Sequence, residues 1–270
     1  LGLRFEEQDE ALEEVEPFEV AGLDGYTIRQ DLVDMELKGS SIKDALQLMK
    51  ASGRLPLGEA GAAHFRGLQT EVQAFLKQLR PHLGDGYIDP IQIDQTLGEF
   101  RLVGEIKRLT AKGSLHFRCA GIKPKDLLRF WVQHLVLNAA FPNGQYSNAV
   151  LVGSDTVFEA PPLVRAPEFL TGLLDLYWKG LTRPLKFFPQ TALAYADAVL
   201  KQEAGRSKQE PIEVARLSWE GNSFRKTPGE CEDAYFDLCF RGVDPLDEEF
   251  QEIARAVFGP LLTELKEAGA

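Results

Sequence analysis

Apolar residues recur at helical spacing along most of the chain and shift towards alternation between Tyr87 and Cys119. From Thr27, Ile28, Leu32, Val33 and Leu37 predict a helix that ends at Gly39. Ser40 or Ser41 is placed to cap a second helix with Ala45, Leu46, Leu48 and Met49 on its apolar side. The stretch Ser52-Gly-Arg-Leu-Pro-Leu-Gly breaks the pattern. A third helix is expected from about Ala60 to Leu79, with Ala63, Phe65, Leu68, Val72, Phe75, Leu76 and Leu79 in one stripe and Pro81 as its stop.

The strand-like section follows. Tyr87, Ile88, Ile91 and Ile93 suggest one strand, and Phe100, Leu102, Val103 and Ile106 the next, with Gly98 near the turn. Lys112-Gly113 predicts another turn, and Leu115–Cys119 a third short strand ended by Gly121 and Pro124. The helix expected from Lys125 to about Ala139 is apolar nearly all round, so it should pack on the sheet and on a further element. Asn148–Glu159 reads as a strand or hairpin.

Beyond Pro161-Pro162 the chain is mostly helical, with helices expected at Glu168–Gly180, Ala192–Ala204, Pro211–Leu217, Glu232–Phe240 and Glu248–Leu265. Pro184 and Pro189 bracket Leu185, Phe187 and Phe188, which should seat that loop on the core. The expected organisation is an acidic lead-in over 1–26, an α/β core over 27–160 and a mostly helical part over 161–270 packed on the same domain.

Composition narrows the class. With 44% hydrophobic and 26% charged residues over 270 positions, the chain can bury a full core. No apolar run reaches the ~18 residues of a membrane helix, and no signal-peptide pattern occurs. Leu1 opens within a polar acidic segment, which reads as a piece of a longer protein. Cys119, Cys231 and Cys239 form no C-x-x-C, which fits a reducing, cytoplasmic setting and argues against a zinc site.

The net charge of −11 speaks against broad nucleic-acid binding, yet the charge is unevenly spread. Residues 1–36 are strongly acidic, whereas 101–129 carry Arg101, Lys107, Arg108, Lys112, Arg118, Lys123, Lys125 and Arg129 against Glu105 and Asp126. Such a basic island attracts phosphate locally; its alternative role is to solvate an exposed strand pair.

No phosphate loop of the G-x-x-x-x-G-K-[ST] type, no G-x-G-x-x-G, no H-E-x-x-H and no G-x-S-x-G occurs. What remains is strand, turn, strand and helix over 100–139. Phosphodiester cleavage by Mg²⁺ needs carboxylates converging from adjacent strands, with a lysine nearby. Nucleases of the recombination-exonuclease type carry an aspartate on the first strand and Asp-x-Lys on the second. Here the strands read Gly104-Glu105-Ile106-Lys107-Arg108 and Leu115-His116-Phe117-Arg118-Cys119. Lys107 stands at the first acidic position and His116 at the second. A cation at the first position repels Mg²⁺, and Arg118 keeps a charge but cannot act as a base. No metal ligand set and no catalytic residue is expected.

Several degenerate motifs occur in order along nearly the whole chain. They are Glu16-Pro17-Phe18 with Gly22-Leu23 and Tyr26-Thr27-Ile28, then Gly53-Arg54-Leu55-Pro56-Leu57-Gly58 with Gly61, then Leu127–Leu135. Further on come Pro184-Leu185 with Pro189, Trp219-Glu220-Gly221-Asn222 with Gly229-Glu230, and Phe258-Gly259-Pro260-Leu261-Leu262. In this set the chain resembles the C-terminal region of the RecC family, the gamma chains of exodeoxyribonuclease V (the RecBCD helicase–nuclease). The resemblance implies a restriction-endonuclease-like core, a small mixed sheet flanked by helices, with the active site lost and helical additions. It implies RecB and RecD as partner subunits, and DNA ends and unwound single strands as the polymer handled. ATP and Mg²⁺ would serve those partners, with no cofactor in this piece.

Three readings stay open. In the first, a non-catalytic part guides or splits DNA through phosphate contacts from Lys107, Arg108, Lys112, Arg118, Lys123 and Lys125. Phe100, Phe117 and Tyr87 are candidates to stack on unpaired bases, against the alternative that they pack in the core. The second is an active nuclease with carboxylates relocated to Asp89, Asp94, Glu99 or Glu105. The third is a protein-docking module built from the acidic N-terminal segment and the aromatic C-terminal half.

Overall fold

The fold follows from the alternation of helical stripes and short strands, seen here in a computed structural model. It describes residues 22–40, 42–56, 58–142, 144, 146–222 and 227–267. The acidic lead-in up to residue 21, Glu16-Pro17-Phe18 and the Ser41 cap lie outside the described residues. The chain divides into two compact units, Leu1–Leu79 and Arg80–Ala270.

In the first unit, α1 (Gly22–Leu37), α2 (Ile42–Ala51) and most of α3 (Gly58–Leu83) bury one stripe each. Ile28, Leu32 and Val33 are fully buried on α1, and Ala45 and Met49 on α2. On α3 the buried set Phe65, Leu68, Val72, Phe75, Leu76 and Leu79 keeps the expected helical spacing. Pro81 does not stop α3; it sits in the last turn, and the helix runs on to Leu83. A proline near a helix end removes one backbone bond, which the terminal turn tolerates better than the interior does. The Gly53–Gly61 motif has a packing reason. A Cβ on Gly61 would stand 1.8 Å from the Pro56 carbonyl oxygen, so only glycine lets the loop close on the helix. Arg54 fixes the loop by donating to Asp31 at 2.7 Å.

The second unit is mixed α/β. β1 (Ile91–Leu97) and β2 (Phe100–Ile106) form a two-stranded antiparallel ribbon in the register Ile91↔Ile106 to Leu97↔Phe100. β3 (Leu109–Thr110), β4 (Gly113–Phe117), β5 (Ala149–Val152), β6 (Val157–Ala160) and β9 (Lys266–Glu267) form a five-stranded sheet in that order. The β4–β5 pair is parallel and the other pairs are antiparallel. A parallel pair needs a crossover, which α4 (Pro124–Ala140) supplies. Tyr87 and Ile88 precede the first strand instead of opening it. The expected strand pair at 100–121 is also split between the two sheets. Arg108 explains the split: its φ of +60° turns the chain sharply between β2 and β3, a conformation few non-glycine residues adopt.

α4 buries Leu127, Phe130, Trp131, Leu135, Leu137 and Ala139. Packed beyond it are α5 (Ala166–Thr182), α6 (Pro189–Glu203), α7 (Pro211–Glu220), α8 (Ala234–Phe240) and α9 (Glu248–Glu264). Phe188 is fully buried, as the proline-bracketed loop predicts, with its ring 4.3 Å from Trp219 and 4.9 Å from Phe236. β7 (Gly221–Asn222) pairs with β8 (Thr227–Pro228) where a Cβ on Gly221 would meet Gly229 N at 2.3 Å. The next residues form a 3-10 turn, Glu230–Glu232. The buried carboxylate of Glu230 accepts from Gln190 N at 3.1 Å and Thr191 N at 2.8 Å, so it caps α6 from a distance in sequence.

A polar seam ties α4 to the chain after β6. His134 Nε2 lies 3.0 Å from the Pro161 carbonyl oxygen. Asn138 donates to the carbonyls of His134 at 2.9 Å and Ser147 at 3.1 Å, and accepts from Leu163 N at 2.9 Å. Burial holds the His134 imidazole down to a pKa of about 4, so at neutral pH it is uncharged and donates to Pro161.

Candidate nucleic-acid interface

Alternation gives the β1–β2 ribbon one exposed face, made of Gln92, Asp94, Thr96, Arg101, Val103 and Glu105. Its carboxylates do not converge. Arg101 holds Asp94 through two bonds at 2.8 and 2.7 Å. Lys107 lies 2.6 Å from Glu105, and Gln92 donates to the same carboxylate at 3.3 Å. These partners keep both carboxyls below the usual range, the Arg101 hydrogen bond acting on Asp94 and the Lys107 bond first on Glu105. Glu99 sits at the ribbon's turn and Asp89 before its first strand, both exposed. Among the described residues no group of three His, Cys, Asp or Glu could hold a metal ion.

The root of the ribbon is basic. Glu105, Lys107, Arg108, His116, Arg129 and Gln133 line one open hollow of about 440 Å³. β2 and the turn at Arg108 bring the first three, β4 brings His116, and α4 brings the last two. The Arg108 guanidinium lies 4.6 Å from the Phe117 ring centroid, which holds the turned residue against the sheet. His116 packs edge-on against Phe130 at 5.4 Å. Burial lowers its pKa to about 4, with Arg108, Arg129 and His134 adding to the shift, so the imidazole is neutral at physiological pH. Its Nε2 is buried and meets no hydrogen-bond partner among the described residues. Three cations and one engaged carboxylate make this hollow a seat for an anion.

The six basic residues singled out from the sequence do not share one place. Lys107 and Arg108 line the hollow. Lys112 lines another, with Asn148, Glu159 and Lys266. Arg118 turns to Asp126 at 3.2 Å, with both side chains mostly covered. Lys123 and Lys125 are exposed at the start of α4. Of the aromatic residues, Phe117 is buried, Phe100 half-buried against Trp178, and Tyr87 partly exposed.

Sequence reading counted Arg129 in the basic island but left it out of the set of DNA contacts, and it passed over Gln133. Their signal was present: Lys125, Arg129 and Gln133 fall at four-residue intervals on a helix that is mostly apolar. That spacing draws a polar stripe down one face.

The profile described as RecC C-terminal domain matches residues 1–200. The chain is 23% identical over 253 residues to the RecBCD enzyme subunit RecC of Escherichia coli strain K12, covering 91% of this chain and 22% of that protein. It is 26% identical over 229 residues to the same subunit of Mycobacterium tuberculosis, covering 82% and 20%. With the Haemophilus influenzae subunit it shares 26% over 187 residues, covering 66% and 16%. The chain thus spans about a fifth of the length of these relatives, 16 to 22%. It belongs to the RecC C-terminal domain family.

Proposed function

We propose that the chain is a catalytically silent, DNA-guiding part of a RecC subunit in an exodeoxyribonuclease V assembly. Its core is a restriction-endonuclease-like frame, in line with the mixed sheet and the α4 crossover. Its partners are RecB and RecD, as the relatives' name, RecBCD enzyme subunit, suggests. Its substrates are DNA ends and the single strands drawn from them, handled without a cofactor of its own.

The observation that carries this reading is the hollow at the ribbon root. Lys107, Arg108 and Arg129 outnumber Glu105, and Glu105 is already held by Lys107. Mg²⁺ needs several oxygen ligands, and this set offers one carboxylate among cations. A backbone phosphate fits the same set, accepting from the Arg108 and Arg129 guanidinium groups and the Lys107 ammonium. Lys123 and Lys125 extend the positive surface along the start of α4.

The test is a pair of assays on the chain, alone and assembled with RecB and RecD. Forked DNA should be bound in a salt-sensitive manner and left uncut by the chain alone in Mg²⁺ or Mn²⁺. Replacing Lys107, Arg108 and Arg129 with Glu should weaken binding at least tenfold. Cleavage by the chain that Glu105→Ala abolishes would overturn the proposal.

A further inference from the structure

The other end of the same ribbon has the opposite character. Leu97, Gly98, Glu99 and Phe100 at its turn face Thr171, Asp175 and Trp178 of α5 across an open groove of about 490 Å³. Trp178 is 59% exposed, and its ring stands edge-on to Phe100 with centroids 6.2 Å apart. Thr171, Asp175 and Trp178 fall at i, i+4 and i+7, so one face of α5 presents them together. Tyr177 and Leu181 leave 63% and 60% of their surface open beside Trp178.

The charges in this groove are uncompensated. Among the described residues, Glu99 and Asp175 make no ion pair, whereas Asp94 and Glu105 on the same ribbon each have a cation. Two acids beside an open indole repel a phosphate chain and attract a cation. An exposed tryptophan face adds to that attraction, and a guanidinium satisfies both needs because it stacks flat while its edge donates to carboxylates. A bare ammonium is more strongly hydrated and gains less. Tyr177 and Leu181 add exposed apolar surface on the flank of Trp178, which fits aliphatic residues next to the cation.

We infer that the groove between the β1–β2 turn and α5 is a docking site for a partner protein that inserts an arginine flanked by apolar residues. Glu99 and Asp175 receive the guanidinium and Trp178 stacks on it. This inference does not depend on the phosphate seat at the ribbon root.

The test uses the full chain labelled with ¹⁵N and a short peptide, acetyl-Leu-Arg-Leu-Arg-Leu-amide, as probe. Its citrulline counterpart keeps the shape without the charge, and a twelve-residue oligothymidylate serves as the nucleic-acid probe. The arginine peptide should move the Trp178 indole N–H resonance and leave those of Trp131 and Trp219 in place. Glu99→Gln with Asp175→Asn, both at exposed positions, should weaken that binding at least tenfold while the spectrum stays folded. Equal binding of the citrulline peptide, or no loss in the double variant, would overturn the inference. So would a Trp178 shift caused by oligothymidylate and not by the peptide, since that would make the groove a base-stacking site.

Discussion

Arg118 and Asp126 form an ion pair at 3.2 Å that joins the end of β4 to the first turn of α4. Asp126 also accepts from Lys123 N at 3.0 Å, so one carboxylate serves as helix cap and as counter-ion. With 17% and 23% of the two side chains exposed, the pair is shielded enough to matter for stability. Arg118→Ala should cost about 1–3 kcal/mol in urea unfolding, most of it from the carboxylate left behind. DNA affinity of the folded variant should change less than twofold. A loss comparable to that of Arg129→Glu would place Arg118 on the DNA path.

The ribbon root makes a quantitative demand on salt dependence. For single strands, log K falls with log salt by about 0.7 per phosphate neutralised. Arg129→Glu and Lys107→Glu should each flatten that slope by about this amount in anisotropy titrations, whereas Lys112→Glu should leave it nearly unchanged. Equal slopes for all three would mean that the polymer does not select the hollow.

Two neutral histidines set the response to acid. His116 and His134 both titrate near pH 4 in the fold, below the ordinary 6.5, chiefly because they are buried. The unfolded chain therefore takes up protons first as pH falls. Stability is complete above pH 6.5 and declines between 6.5 and 4, by up to about 3 kcal/mol for each histidine. Urea midpoints measured across that window should fall with pH, and His134→Gln should flatten the curve. A midpoint independent of pH from 7 to 4.5 would contradict the burial of both rings.

Glu230 offers a test of the helical layer. It holds Gln190 N and Thr191 N at the start of α6, forty residues away in sequence. Glu230→Ala should lower stability by about 1–3 kcal/mol, and Glu230→Gln by less, since an amide oxygen still accepts. Identical losses would assign the effect to packing and not to the cap.

Local signals were legible in the sequence. The β1–β2 turn at Gly98 and the β5–β6 hairpin are written in alternation and turn residues, and the seat of Phe188 in its flanking prolines. Positive φ at Arg108 was not legible, because no glycine or asparagine marks it. Without that turn, Lys107 and His116 look like neighbours on one paired sheet. The parallel β4–β5 pairing and the two-residue strand Lys266–Glu267 depend on contacts far apart in sequence, which no local pattern encodes. A third of the candidate site was hidden for a different reason: Arg129 and Gln133 sit on a helix whose apolar content dominates its reading.

The ribbon is only two strands wide, so each strand is an edge. A naked edge invites a stray extended chain to zip onto it, and two-stranded sheets are marginal unless something underneath supports them. Here Ile93, Leu97 and Ile106 supply the underside, and Gln95 is tethered to the Ala139 carbonyl at 2.8 Å. The pairs Asp94 with Arg101 and Glu105 with Lys107 cover its exposed face with charge, a surface on which a stray apolar strand gains little.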